Sequence, residues 1–208
     1  MTHDRPLSSR RPQLPQRPGR RAGLLTLAGA GLGLALPAGL RAQGTSAPSR
    51  TPDVVFVPTP QEIVDEMLKV ASVGPKDVLY DLGSGDGRIP ITAAKRWGTR
   101  GVGIDIDPER IRDARANAVA AKVTDKVRFV QGDLFELDLA PATVITLYLL
   151  PDLNVKLRPR LLALKAGTRI VSHDFAMGDW KPERTINRDG RTVYFWTVPP
   201  AGQDYPRH

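Results

Sequence analysis

A loop with glycine at every second position, formed by Gly83, Gly85 and Gly87, constrains the fold of this chain more than any other feature. Residues 78–81 before the loop have strand character, and a helix-compatible run, residues 88–97, follows it. Gly83 and Gly85 leave no side chain where the backbone must turn sharply and lie close to a ligand, and Gly87 allows the helix to pack tightly on the strand. Taken alone, the same glycines also fit a tight turn with a purely structural role.

The acid that ends the first predicted strand, Asp81, favours one kind of ligand over another. In the dinucleotide fingerprint Gly-x-Gly-x-x-Gly, a pyrophosphate sits on the helix N-terminus. Here the pattern is Asp-x-Gly-x-Gly-x-Gly, and a carboxylate beside the loop suits a ligand that presents an amino group instead of a phosphate. An NAD(P)-dependent enzyme is therefore disfavoured.

A second acid, Asp105, follows the apolar run 101–104 of the next predicted strand. It lies 20 positions after Gly85, the spacing at which an acid ending the second strand reaches a ribose diol. A carboxylate can accept hydrogen bonds from both hydroxyls of the diol at once. Asp107, followed by Pro108, is predicted only to cap the next helix.

Strand-like and helix-like runs alternate along the chain, which predicts an open α/β sheet with ligands at the carboxyl ends of its strands. The Asp189-Gly190 pair between the last two strand-like runs is a strong hairpin signal. The later strand-like runs are residues 127–130, 143–148, 169–172, 184–187 and 191–198. The candidate ligand-binding positions all follow predicted strands: residues 83–86, Asp105, Asp133, Tyr148, His173 and Asp174.

Two proline-containing segments lead to further expectations. Residues 56–60 hold two prolines and are expected to be stiff, as a lid over a cofactor would be. Thr59 is the expected N-cap of the following helix, with Pro60 as its first residue and Glu62 completing a capping box. Pro159 is expected to interrupt the later helical run.

The basic charge of the chain is concentrated in its first 50 residues. They contain eight arginines and one acid, Asp4, so they carry about +7 of the formal net charge of +8. The remaining chain, at about +1, gives no argument for nucleic-acid binding.

The same leader has the form of a secretory signal. Arg20-Arg21 precedes an uncharged apolar run, residues 22–40, which is typical of a twin-arginine signal, with cleavage expected after Ala42. An exported, periplasmic protein is therefore expected. A cytoplasmic protein with a disordered leader, or one held near a membrane by an uncleaved anchor, are the alternatives. The expected organisation is a signal peptide 1–42, a linker 43–53, a folded domain 54–198 and a tail 199–208.

The folded domain resembles class I S-adenosylmethionine-dependent methyltransferases. More narrowly, it is similar to the family that contains the mitochondrial lysine methyltransferases acting on ATP-synthase subunit c and on the adenine nucleotide translocase. The segments that carry the resemblance are residues 58–60, 81–89, 146–151 and 172–175. It implies a Rossmann-like, seven-stranded, mostly parallel sheet with a C-terminal antiparallel hairpin, and S-adenosylmethionine as cofactor. The residues expected to hold the cofactor are Thr59, Asp81, Gly83, Ser84, Gly85, Asp105, Ile106, Asp133 and Leu134.

The resemblance also implies a protein lysine as the methyl acceptor. A lysine amine has a pKa of about 10.4, so it arrives protonated and must lose a proton before it attacks. Tyr148 is expected to form a wall and a hydrogen-bond partner for the amine, with Asp174 or His173 as the proton acceptor. The alternative for Asp174 is a turn cap that binds backbone N–H groups. Trp180 fits either a substrate channel or the core.

The same residues bear on other possible functions. Enzymes that methylate exocyclic amines of bases usually carry Asn/Asp-Pro-Pro-aromatic after strand four, which grips a flipped base. Here residues 148–151 read Tyr-Leu-Leu-Pro, so nucleic acid is not the expected substrate, and no metal site is expected. A methyltransferase acting on a small molecule, and a binding protein that holds a nucleoside or S-adenosylmethionine without transfer, stay open as alternatives.

Overall fold

The computed structural model describes residues 56–203 and residue 205. The predicted signal peptide, the predicted linker, the expected domain start at residue 54 and part of the predicted tail lie outside these residues. Within residues 56–203 and 205, no helix is long and apolar enough to span a bilayer.

Seven strands and four helices make up the described part of the chain. In chain order they are α1 Gln61–Val70, β1 Val78–Leu82, α2 Arg88–Trp97, β2 Arg100–Asp105, α3 Pro108–Ala120, β3 Val127–Gln131, β4 Val144–Leu147, α4 Pro151–Leu162, β5 Arg169–His173, β6 Arg184–Arg188 and β7 Arg191–Thr197. They form one sheet with strand order β3-β2-β1-β4-β5-β7-β6. The first five strands are parallel, and β7 runs antiparallel to both β5 and β6. The predicted α/β fold with a C-terminal antiparallel hairpin is confirmed.

The sheet reverses its strand order between β1 and β4, because β2 and β3 extend it on one side and β4 and β5 on the other. At such a switch point the loops after the two central strands separate, which opens a crevice beyond their carboxyl ends. The glycine loop after β1 and Tyr148 after β4 border this crevice.

A two-residue turn joins β6 and β7. Asp189 and Gly190 both have positive φ, 50° and 76°, as a type I′ turn requires. Since β7 lies antiparallel beside β5, with Val193 opposite His173, the first residue of β7, Arg191, lies at the edge of the sheet where β5 ends.

The start of α1 differs from the sequence expectation. Pro60 is the N-cap and no side chain caps the helix, so the prediction that Thr59 caps it in a box with Glu62 is wrong. The reason is a long-range contact, because the Thr59 Oγ1 lies 3.2 Å from Nδ1 of buried His173. The Pro60 carbonyl begins the helical hydrogen bonding by accepting from the amides of Ile63 and Val64.

The helix α4 runs through Pro159, so the predicted interruption is also wrong. A proline inside a helix costs about 3 kcal/mol. Leu157 and Leu161 on the same helix are completely buried, and each such burial contributes roughly 1.5–3 kcal/mol. Packing against the sheet therefore outweighs the lost hydrogen bond.

Both faces of the sheet are covered. On β1, Leu79 packs in the cluster formed with α1, whereas Tyr80 and Leu82 pack in the cluster formed with α4, because successive strand residues point to opposite faces. Trp180 is 2% exposed and lies in the second cluster, where its carbonyl accepts from Trp196 Nε1 at 2.8 Å. Of the two roles open to Trp180, the structure supports the core.

Gly103 in β2 gives a test of this packing. A Cβ at Gly103 would lie 2.5 Å from the Phe129 ring and 2.7 Å from Ser84 Oγ, so something must shift to admit it. We expect Gly103→Ala to lower the free energy of unfolding by about 1–3 kcal/mol, measured by urea denaturation. Gly74→Ala is the matched control, since a Cβ there meets no atom within 4 Å. Equal losses in the two variants would contradict the packing described.

Candidate active site

A cavity of about 500 Å³ lies beyond the carboxyl ends of β1 to β4, a size that suits a cofactor-sized ligand. Eight of the nine predicted cofactor residues line it: Thr59, Asp81, Gly83, Ser84, Asp105, Ile106, Asp133 and Leu134. Gly85 is the exception, because the Phe56 ring lies over it and a Cβ there would come within 2.1 Å of that ring. Of the predicted catalytic residues, Tyr148 lines the cavity, whereas His173 and Asp174 do not.

The glycine loop is held against β2. The amides of Gly83 and Ser84 both donate to the Ile104 carbonyl at 2.9 Å. Gly85 and Gly87 have φ values of 51° and 78°, in the left-handed region that favours glycine. The backbone of the loop therefore forms a fixed floor for a ligand.

Asp105 fastens the loop from the second strand. Its Oδ2 accepts from the Gly85 amide at 2.8 Å, and its Oδ1 accepts from the Asp107 amide at 3.0 Å. Each carboxylate oxygen keeps a further lone pair, so the fixed carboxylate can still accept from a diol. Asp107 itself caps α3 through a 2.7 Å bond from the Glu109 amide, as predicted.

Asp81 is nearly buried, at 3% exposure, and accepts from the Thr146 hydroxyl at 2.7 Å. Burial raises the pKa of Asp81 to about 7; the hydrogen bond from Thr146 opposes this rise, and the carboxylates of Asp105 and Asp86 add to it. A cation bound beside Asp81 would favour the ionised form and lower its pKa again. The site is therefore suited to a ligand ammonium group.

The turn after β3 supplies the far end of the cavity. Asp133 Oδ1 accepts from the Phe135 amide at 2.8 Å, which orders the turn. Asp133, Leu134 and Phe135 all line the cavity. The sequence did not indicate that Phe135 lines the cavity.

The strap, which we define as residues 56–59, forms one wall of the cavity. Arg88 holds it by donating to the Thr59 carbonyl at 2.9 Å, and Asp86 in turn binds Arg88 at 2.6 Å. The Arg110 guanidinium lies 5.0 Å from the centre of the Phe56 ring, within the range of a cation–π contact. The sequence predicted a stiff lid here. It did not predict that Arg88 and Arg110 contact the strap, because nothing in the local sequence of either arginine indicates a distant partner.

Tyr148 stands beyond the glycine loop, at the end of β4. Its ring centroid lies 3.9 Å from that of His173 and 6.1 Å from that of Phe175. His173 is completely buried, and burial lowers its pKa, with nearby Arg191 lowering it further and Asp174 acting in the opposite direction. The imidazole is therefore neutral at physiological pH.

Asp174 has the contacts of a turn cap. It has a positive φ of 59°, its Oδ1 accepts from the Thr192 amide at 2.9 Å, and its Oδ2 accepts from Arg191 at 3.0 Å. Burial alone would raise the pKa of Asp174, but the Thr192 amide, Arg191 and His173 together hold it below its ordinary value. A weakly basic carboxylate outside the cavity is poorly suited to accept a proton from an ammonium group. The proton-acceptor role of Asp174 or His173 stays a prediction.

Comparison with known proteins identifies the family. Residues 81–184 match the sequence model of the ANTKMT methyltransferase domain. A protein-lysine N-methyltransferase of Saccharolobus islandicus is 46% identical over 156 residues, which cover 72% of this chain and 97% of that protein. This chain belongs to that methyltransferase family.

A further sequence relative and a solved structure are also similar to this chain, and the structure bears on fold and cofactor. An adenine nucleotide translocase lysine N-methyltransferase of Mus musculus is 31% identical over 60% of this chain, which spans 55% of the mouse protein. A crystal structure described as an RNA methyltransferase from Salinibacter ruber, in complex with S-adenosyl-L-homocysteine, is 57% identical. It superposes with a TM-score of 0.70 and covers 73% of this chain and 100% of that chain. The protein is an S-adenosylmethionine-dependent methyltransferase.

The residues present fit that cofactor in the order in which the sheet arranges them. Along β3-β2-β1-β4, the cavity is lined in turn by Asp133, Asp105, Asp81 and Tyr148. Asp133 and the next amide would hold the adenine, Asp105 the ribose diol and Asp81 the ammonium group. Tyr148 would then stand at the acceptor end.

Proposed function

We propose that the methyltransferase N-methylates the side-chain amine of lysine in a protein. The observation that carries this proposal is the charge of the cavity wall. Five carboxyl groups line it, against two guanidinium groups: Asp81, Asp86, Asp105, Asp107 and Asp133, against Arg88 and Arg110. Such a wall attracts a cationic acceptor and repels a phosphate backbone.

The reaction requires a neutral amine aligned with the methyl group. Bound S-adenosylmethionine supplies a methyl group on a sulfonium; the amine lone pair forms the new N–C bond, and the electrons of the C–S bond return to sulfur. An ammonium near a cation and out of water has a lowered pKa, and Leu149, at 6% exposure, lines an apolar part of the cavity. Tyr148 presents a hydroxyl that can accept from the amine and direct its lone pair. Positioning of this kind supplies most of the rate gain in such a displacement.

The names of the relatives support a protein acceptor and also identify RNA as the competing acceptor. Those of the Saccharolobus and mouse proteins specify lysine, whereas that of the Salinibacter protein specifies RNA. In this chain, residues 148–151 lack the base-gripping pattern, and the chain outside its leader is close to neutral. Both features favour lysine over RNA.

A labelling experiment separates the two acceptors. Extract from a native strain that lacks the gene is incubated with the methyltransferase and tritiated-methyl S-adenosylmethionine. We expect protease to remove the label from the macromolecular fraction, RNase to leave it there, and acid hydrolysis to release methyllysine. Label that RNase removes and protease does not would contradict the proposal.

We also propose that the leader exports the domain, because Arg20-Arg21 precedes an uncharged apolar run ending near Ala42. Intact-mass analysis of the protein from native cells is expected to give a species that begins at Gln43. A full-length cytoplasmic species that retains the leader would contradict export and leave lysine methylation untouched.

A further inference from the structure

One face of the helix α4 holds the turn that follows β3. Lys156 and Arg160 are four positions apart on this helix, so they lie on the same face of it. Arg160 donates from Nη1 to the Leu134 carbonyl at 2.7 Å and from Nη2 to the Leu137 carbonyl at 2.5 Å. The Lys156 ammonium lies 4.1 Å from the centre of the Phe135 ring. This face of α4 therefore contacts a turn that lines the far end of the cavity.

The turn has internal hydrogen bonds, and Arg160 anchors it from outside. Within the turn, the amides of Glu136 and Leu137 donate to the Asp133 carbonyl at 3.0 and 3.3 Å, and Asp133 Oδ1 accepts from the Phe135 amide. These bonds join residues that are close in sequence, so they set the shape of the turn. The two bonds from Arg160 span 26 and 23 positions of the chain and join the turn to α4.

A single peptide group connects Arg160 to the Asp133 carboxylate. The carbonyl of Leu134 and the amide of Phe135 belong to the same planar group. Arg160 donates to the carbonyl oxygen of that group, and Asp133 accepts from its N–H. Because the group is planar, fixing the carbonyl also fixes the direction of the N–H and of the carboxylate bound to it. Arg160 therefore orients the carboxylate that would face the adenine amine.

We propose that Arg160 is a positioning residue for the cofactor, which acts by fixing the Asp133 carboxylate toward the adenine amine. A guanidinium suits this role, because its rigid fork has donors for two carbonyls at once and no acceptor. The inference concerns the cofactor and goes beyond the proposed lysine acceptor. Binding measurements alone can therefore test it, whichever molecule receives the methyl group.

The test compares two ligands in calorimetric titrations of the full chain: S-adenosylhomocysteine and S-inosylhomocysteine, whose base has a carbonyl oxygen in place of the adenine amine. Wild-type protein should bind the adenine ligand at least about tenfold more tightly, because the carbonyl of the inosine ligand would face the Asp133 carboxylate. We expect Arg160→Ala to weaken binding of the adenine ligand by roughly tenfold and binding of the inosine ligand by less than about threefold. Arg160→Lys keeps a charged donor without the fork, so it should retain part of this preference for adenine.

Arg158→Ala is the matched control. Arg158 lies on the same helix and also donates to a backbone carbonyl, that of Met177 at 2.9 Å, but Met177 does not line the cavity. Both affinities should therefore stay within about twofold of wild type in this variant.

Three results would overturn the inference. They are equal losses of affinity for the two ligands in Arg160→Ala, an Arg160→Ala variant that melts earlier but binds both ligands like wild type, and a wild-type protein that does not prefer adenine. If Arg160→Ala does not fold, Arg160→Lys decides, and an undiminished preference for adenine in that variant would overturn the inference. Transfer of the methyl group to RNA would contradict the proposed function and leave this inference intact.

Discussion

Replacement of Asp105 by alanine is expected to weaken binding of S-adenosylmethionine by about ten- to a hundredfold, because loss of a charged acceptor costs about 1.5–3 kcal/mol. The structure favours the upper end of that range. Asp105 faces the cavity and also holds the Gly85 amide at 2.8 Å, so its loss removes a ligand contact and loosens the loop. Calorimetric titration of the variant with S-adenosylmethionine measures the effect.

Asp107→Ala is the control for this variant, since Asp107 also lines the cavity but its carboxylate caps α3 by accepting from the Glu109 amide. Losing a cap costs about 0.5–2 kcal/mol of stability, which thermal unfolding will detect. The affinity for S-adenosylmethionine should change by less than about threefold. Equal losses of affinity in the two variants would show that Asp105 has no specific contact with the ligand.

The affinity for S-adenosylmethionine is expected to rise with pH through the pKa of Asp81. Burial raises this pKa to about 7, so the free protein holds a proton there at lower pH, and binding an ammonium group must release it. We expect affinity to increase by up to about tenfold between about pH 6 and pH 7. Calorimetry in buffers of different ionisation enthalpy should detect close to one proton released per ligand at about pH 6. An affinity independent of pH would place the ligand ammonium away from Asp81.

The raised pKa of Asp81 also predicts a higher free energy of unfolding when Asp81 is replaced by asparagine. A carboxyl group whose pKa is raised by folding stabilises the folded protein fully at pH values below its unfolded-state pKa of about 3.9. This contribution to the free energy of unfolding is lost as the pH rises through the folded-state pKa of about 7. Relative to wild type, Asp81→Asn should therefore gain roughly 2–4 kcal/mol more at pH 8 than at pH 4. Urea denaturation at the two pH values measures the difference. The variant should also bind S-adenosylmethionine poorly at every pH, so a more stable and inactive protein is the expected outcome.

The sequence predicted three acids that line the cavity because their signals are local. Asp81, Asp105 and Asp133 each follow a run of strand character, and the carboxyl ends of parallel strands meet at one edge of a sheet. The hairpin turn at Asp189-Gly190 was equally predictable from the sequence, since its conformation depends on those two residues. No knowledge of distant contacts was needed for any of these predictions.

The predictions that failed, and the residues that were missed, depend on contacts between distant parts of the chain. Thr59 has a capping sequence around it, yet its hydroxyl contacts His173, which is 114 positions away. The partners of Asp174 lie 17 and 18 positions later on β7, and only the antiparallel insertion of that strand brings them near. Arg88 had no local signal for its role on the strap either.

Identification of the atom that receives the methyl group tests the central claim, lysine N-methylation, most directly. Native-strain extract is treated with the methyltransferase and methyl-deuterated S-adenosylmethionine, and the products are analysed by tandem mass spectrometry of peptides and of nucleosides. We predict deuterated methyl groups on lysine Nζ, and about ten- to a hundredfold slower labelling when Asp105→Ala replaces the wild-type protein at limiting cofactor. Deuterated methyl groups on an RNA base, with none on lysine, would contradict the account.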